Sequence, residues 1–130
     1  MKIINSLRKK SIKNHILNNF NIDTPAIKYL GNGKFILNSL LQNEQYQKVA
    51  IIINKNTCSL IFQEFDKIDI NPHINSITKK GTFICSKLAI TLDSRIDDIY
   101  IIEPLHFDHE SGQLFIGYYL THENKFKSTN

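Results

Sequence analysis

The chain has no tryptophan, one methionine, two cysteines, three prolines and five glycines in 130 residues. Two cysteines cannot build the disulfide framework of a small secreted scaffold. Cys58 and Cys85 both lie beside apolar runs, where small buried thiols are at home. So few glycines and prolines exclude collagen-like and low-complexity chains. The longest unbroken apolar run is residues 49–53, far short of the roughly 20 residues a membrane helix needs, so no membrane span is expected. Lys13, Asn14 and His15 interrupt the apolar residues after the basic N-terminus, which argues against a secretory signal. A transit peptide is the alternative for residues 1–20, which contain no acid. A cytoplasmic location is the expectation.

What is present fits one globular domain. Hydrophobic residues make up 42% of the chain, enough for a packed core without staples. Residues 1–124 read as a single domain, and 125–130 as a polar tail with nothing to tie it down. Charge is polarised along the chain. Residues 1–20 hold Lys2, Arg8, Lys9, Lys10 and Lys13 with no acid, whereas residues 93–110 hold six acids against Arg95.

Hydrophobic spacing predicts a helix over residues 4–20, with Ile12, Ile16 and Phe20 on one stripe. Residues 26–30 and 34–38 flank Gly31-Asn32-Gly33, a hairpin turn signal. A phosphate-cradling reading of these glycines fails, because the spacing to Lys34 is wrong and a strand follows. Residues 39–47 fit a short helix or a polar loop. Residues 48–53 read as a central strand, 54–57 as a turn and 58–65 as the returning strand.

Asn71 as a cap, Pro72 at the first position and Gly81 after Lys79 and Lys80 predict a short helix burying Ile74 and Ile77. Residues 82–92 read as one long strand and 93–98 as a turn. A closing hairpin pairs residues 99–109 with 113–123, and Pro104 marks a sheet edge or a bulge within it. The expected fold class is α+β: an N-terminal helix, then a curled antiparallel sheet of about six or seven strands with one short intervening helix.

The densest chemistry lies in that last hairpin, with His106, Asp108, His109, Glu110, His122 and Glu123. Such residues could bind a metal or transfer protons. Strand parity points His106 and His109 to opposite faces. A loop pairing Asp108 with Gln113 sets His106 against Phe115, and leaves His122 roughly 23 Å away at about 3.3 Å per residue. No catalytic residue, metal site or cofactor is therefore expected. The same register puts Ile99, Ile101, Leu105 and Phe107 on a core face. Tyr100, Ile102, His106, Phe115 and Tyr119 fall on a second face, which needs cover from the chain or from a partner.

No motif is specific enough to name a reaction. The leading expectation is a protein-binding module, chaperone-like or toxin-neutralising, acting on a dedicated partner. Its candidate contacts are Asp93, Asp97, Asp98, Tyr100, His106, Asp108, Glu110, Phe115 and Tyr119, acids to steer and rings to anchor. The first alternative is nucleic-acid or anionic-surface binding through Arg8, Lys9, Lys10 and Lys13. The second is a small-ligand or enzymatic pocket in the curled sheet, with His106, Asp108 and His109 nearest to usable chemistry. A homodimer is compatible with the sequence.

Overall fold

The computed structural model describes residues 22–63, 65, 73–109 and 112–126. Among these residues, nine strands and two short helices follow in chain order: β1 (Ala26–Gly31), β2 (Lys34–Leu37), α1 (Ser39–Gln42), β3 (Lys48–Asn54), β4 (Thr57–Ile61), β5 (His73–Ser76), β6 (Thr82–Ile84), α2 (Ser86–Thr91), β7 (Ile99–Ile101), β8 (Glu103–His109) and β9 (Gly112–Leu120). A 3-10 turn, His122–Asn124, follows β9. The strands form a four-stranded sheet in the order β6-β2-β1-β7 and a five-stranded sheet in the order β5-β3-β4-β9-β8. Every pairing is antiparallel. Among the described residues, no helix is long and apolar enough to cross a membrane.

This corrects the expected α+β class. Strands dominate, there are two sheets where one curled sheet was expected, and both helices are short. The helix read over residues 4–20 lies outside the described residues.

One apolar cluster fills the space between the sheets. It takes Ile27, Phe35, Phe83 and Tyr100 from the first sheet and Val49, Ile51, Leu60, Tyr118 and Leu120 from the second. Phe35 stacks on Phe83 with ring centroids 5.5 Å apart, and Phe62 meets Tyr118 edge-on at 5.9 Å. Each fully buried side chain of this size contributes about 1.5–3 kcal/mol, so the shared cluster binds the layers together.

The sheets meet at two corners. At one, the chain passes from β7 into β8 through Ile102 without turning back, so one run of strand serves both sheets. Ile102 is 1% exposed, and its N–H donates to the Pro25 carbonyl at 3.1 Å. The outer edge of β7 is closed by the chain's end. Lys125 bridges Tyr100, the Phe126 N–H donates to Ile99, and the Asn124 side chain donates to the Ile101 carbonyl at 2.8 Å. Lys125 and Phe126, expected in the frayed tail, are thus tied to β7. At the other corner, β5 and β6 are joined by the turn through residues 77–81.

Three local expectations change. The short helix expected after residue 71 is replaced by β5, which pairs with β3, and Ile74 is 45% exposed. Gly81 has φ +84°, which serves a tight turn as well as a helix end, so its signal was ambiguous. The long strand expected over 82–92 stops at Ile84 and becomes α2, which buries Leu88 and Ala89. The closing hairpin keeps the predicted pairs Asp108–Gln113 and His106–Phe115, but a bulge shifts the register between Leu105 and His106. The strand switch at Ile102 also inverts β7. Tyr100 and Ile102 enter the main core, while Ile99 packs with Ala26, Ile22 and Ile36 in a second cluster. Pro104 does sit on an edge strand, beside that bulge. Gly117 is required where β9 crosses β4, because a Cβ there would lie 2.6 Å from the Leu60 carbonyl oxygen.

Candidate partner-binding surface

The β1–β2 turn organises one end of the molecule. Gly31, Asn32 and Gly33 all have positive φ, at +97°, +53° and +79°. Bare backbone at the glycines lets two other elements approach. A Cβ on Gly31 would lie 3.1 Å from the Ile96 side chain, and one on Gly33 would lie 2.6 Å from the Ser86 hydroxyl. The Gly33 carbonyl accepts from the Cys85 N–H at 2.8 Å, which anchors the start of α2. The Asp97 N–H donates to the Tyr29 carbonyl and the Tyr29 N–H to the Asp98 carbonyl, both at 2.8 Å. The segment from α2 to β7 is thereby stitched along β1.

Three isoleucines on elements tied to this turn have their side chains in solvent. Ile84 pairs with Lys34 at the end of β6, Ile90 follows Ser86 by one helical turn on α2, and Ile96 lies over Gly31. They are 58%, 79% and 67% exposed. Single exposed apolar residues are ordinary, whereas several around one feature mark contact surfaces. None of the three was singled out from the sequence as a binding candidate. The signal was present in α2, where Leu88 and Ala89 are buried and Ile90 is left outside.

The acidic turn expected to steer a partner is partly used inside the protein. The Asp98 carboxylate accepts from the Arg95 N–H at 2.8 Å and pairs with Lys125 at 3.1 Å. Asp97 lies 3.5 Å from the Lys28 ammonium, whose side chain is 4% exposed against 60% for Asp97. The pair offsets the cost of a buried cation. Asp93 is exposed, at a positive φ of 50°. Asp93 and Asp97 lie close to Ile96, with Arg95 exposed beside it, while Lys34 lies opposite Ile84.

The aromatic candidates divide. Tyr100 has no exposed surface, and its hydroxyl lies 2.8 Å from Ser94 Oγ. Burial pushes its phenol pKa up, against the opposing effect of the Ser94 hydrogen bond. It belongs to the core and presents nothing to a partner. Tyr119 is half-buried opposite Glu103, whose carboxylate accepts its hydroxyl hydrogen bond and holds the phenol above its ordinary value. His106, Asp108 and Phe115 are placed by the β8–β9 register. Their side chains lie outside the described residues, as do Glu110, Arg8, Lys9, Lys10 and Lys13 in full. His122 is exposed in the 3-10 turn, beyond the end of β9 opposite the loop, so His106 and His122 are not brought together.

Two cavities flank the β5–β6 turn. One, of about 350 Å³, is lined by Leu41, Tyr46 and Ile77 with the amides of Gln42, Gln45 and Gln47 and with Lys79. Burial and then Glu44 raise the Tyr46 phenol pKa, which keeps it a neutral hydrogen-bonding group. The other, of about 310 Å³, lies between β5 and β6. Among the described residues, no group of three histidines, cysteines or acids could hold a metal ion.

No family model, no curated protein and no solved structure matches this chain.

Proposed function

We propose that this protein is a binding module for a dedicated protein partner, and that the partner contacts the end of the molecule around the β1–β2 turn. The observation that carries this reading is the group of three largely exposed isoleucines, Ile84, Ile90 and Ile96, on elements fixed by hydrogen bonds to that turn. Apolar side chains on a rigid support supply anchor area, and Asp93 and Asp97 beside them supply orientation and encounter rate. A toxin to neutralise or a client to chaperone would both suit such a surface, and the identity of the captured protein decides between them.

The test is affinity capture from the native cell with the intact chain and with an Ile90→Asp, Ile96→Asp double variant. Both sites are solvent-facing, so the variant should keep its circular dichroism spectrum and melting temperature. The reading requires one protein to be captured by the intact chain and lost with the variant. Equal capture by both would reject it.

A further inference from the structure

We infer that the seam between β5 and β6 is a strand-acceptor site for an extended, acidic segment of a partner protein. The two strands start as a hairpin. The Thr78 N–H donates to the Thr82 carbonyl at 2.9 Å, and the two threonine hydroxyls lie 2.6 Å apart. Beyond that clasp the strands part, β5 into the five-stranded sheet and β6 into the four-stranded one.

Backbone parity shows which groups face the gap. In an antiparallel strand, the N–H and C=O of one residue point the same way and alternate along the chain. The Ile77 N–H donates to Gln47, towards the β3 side, so Ile74 and Ser76 point outward. The Cys85 N–H and the Gly81 carbonyl engage Gly33 and Leu37, towards the β2 side, so Thr82 and Ile84 point outward. The outward groups of Thr82 meet Thr78. Those of Ile74, Ser76 and Ile84 have no backbone partner among the described residues. Two sheet edges therefore look into one wedge.

The wedge is built to hold something. Its cavity of about 310 Å³ is lined by Lys34, Asn75, Ser76, Thr78, Thr82, Phe83 and Ile84. Asn75 lines it, and its Nδ2, itself covered, has no hydrogen-bond partner among the described residues, a cost of about 1–3 kcal/mol at the seam. Ile84, one of the lining residues, is 58% exposed, and Ile74 on the β5 edge is 45% exposed. An added strand would supply carbonyls and N–H groups to both edges. Its charge preference follows from exposed lysines: Lys34 opposite Ile84, Lys48 opposite Ser76, and Lys79 and Lys80 in the turn. The choice of a protein segment as occupant rests on the partner-binding reading, while the site itself rests on the unpaired edges.

The experiment uses the full isotopically labelled chain and a capped hexapeptide alternating valine with glutamate. Titration should shift and slow the exchange of the Ile74, Ser76 and Ile84 amides, and peptide methylated on alternate nitrogens should lose binding. An Ile84→Pro variant removes an outward N–H that the β2 ladder does not use, and should weaken binding about tenfold, the loss of one hydrogen bond. Ser76→Pro does the same on β5 if the first variant fails to fold. Unshifted seam amides, shifts centred on Ile90 and Ile96, or binding indifferent to methylation would each overturn the inference. So would a dimer, seen by sedimentation, that protects the same amides without peptide. A silent seam alongside partner loss in the Ile90→Asp, Ile96→Asp variant would sink this inference alone. A responsive seam with equal capture by that variant would sink the proposed isoleucine surface alone.

Discussion

At one corner of the sandwich a single strand run carries the chain from sheet to sheet through Ile102; at the other, a tight turn clasped by two threonines does so between β5 and β6. The first corner is sealed by groups from distant parts of the chain: Pro25, Asn124, Lys125 and Phe126 all bond to it. At the second, Ile77 and Gly81 bond to Gln47 and Leu37 on opposite sides, only the local Thr78–Thr82 clasp joins β5 to β6 among the described residues, and the strands beyond it open into a wedge. Contacts between distant segments fix a backbone in place, whereas a local clasp leaves the strands beyond it free to diverge. The β7 edge is covered by residues 124–126, whereas the β5 and β6 edges face the wedge.

The difference can be broken at its strong side. Replacing Ile102 by Ala removes a 1%-exposed side chain from the point where the sheets join, and should cost about 3 kcal/mol in urea unfolding. A cost below about 1 kcal/mol would mean that the corner yields without loss. Asn124→Ala comes next, at about 1–2 kcal/mol, since Asn124 joins Ile101 and Thr121 through its amide. It should also speed exchange of the Phe126 amide, while leaving Ser76 and Ile84 unchanged.

Cys58 probes how dry the core between the two corners is. Burial, with a smaller contribution from Cys85 just after β6, pushes its thiol pKa up to about 11 from an ordinary 9.0. The fold therefore favours the protonated thiol. Its contribution to stability is complete below pH 9, and is lost as pH rises from there through about 11, because only the unfolded chain ionises early. Iodoacetamide at pH 8 should label the part-exposed Cys85 well before Cys58. Equal rates would show that the core around β4 opens readily. The smallest effect is expected at the weak corner, where Thr78→Ala removes an exposed clasp and should cost about 0.5 kcal/mol.

Some of this was legible in the residues. The β1–β2 turn followed from Gly31-Asn32-Gly33, and the pairing of Asp108 with Gln113 from the loop between them. The edge position of Pro104 followed from its missing N–H. The helix α2 could have been seen, because Leu88, Ala89 and Leu92 repeat at helical spacing after Phe83 and Cys85 alternate. The expectation for residues 71–81 failed because an N-cap, a proline and a glycine describe chain ends, and chain ends serve turns as well as helices. The isoleucine patch was hidden for another reason. Exposure depends on what the fold places over each residue, and Ile84, Ile90 and Ile96 look no different in sequence from the buried Ile27 and Ile102.

Local residues alone gave the hairpins β1–β2, β3–β4 and β8–β9, since a tight turn needs only the backbone freedom of two or three adjacent residues. Only the assembled fold sets that residues 99–109 are shared between two sheets, that Tyr100 enters the main core while Ile99 packs in the smaller cluster, and that the β7 edge is covered while β5 and β6 face a wedge. Those outcomes depend on which distant apolar face each strand can bury against, and no local pattern of residues carries that information.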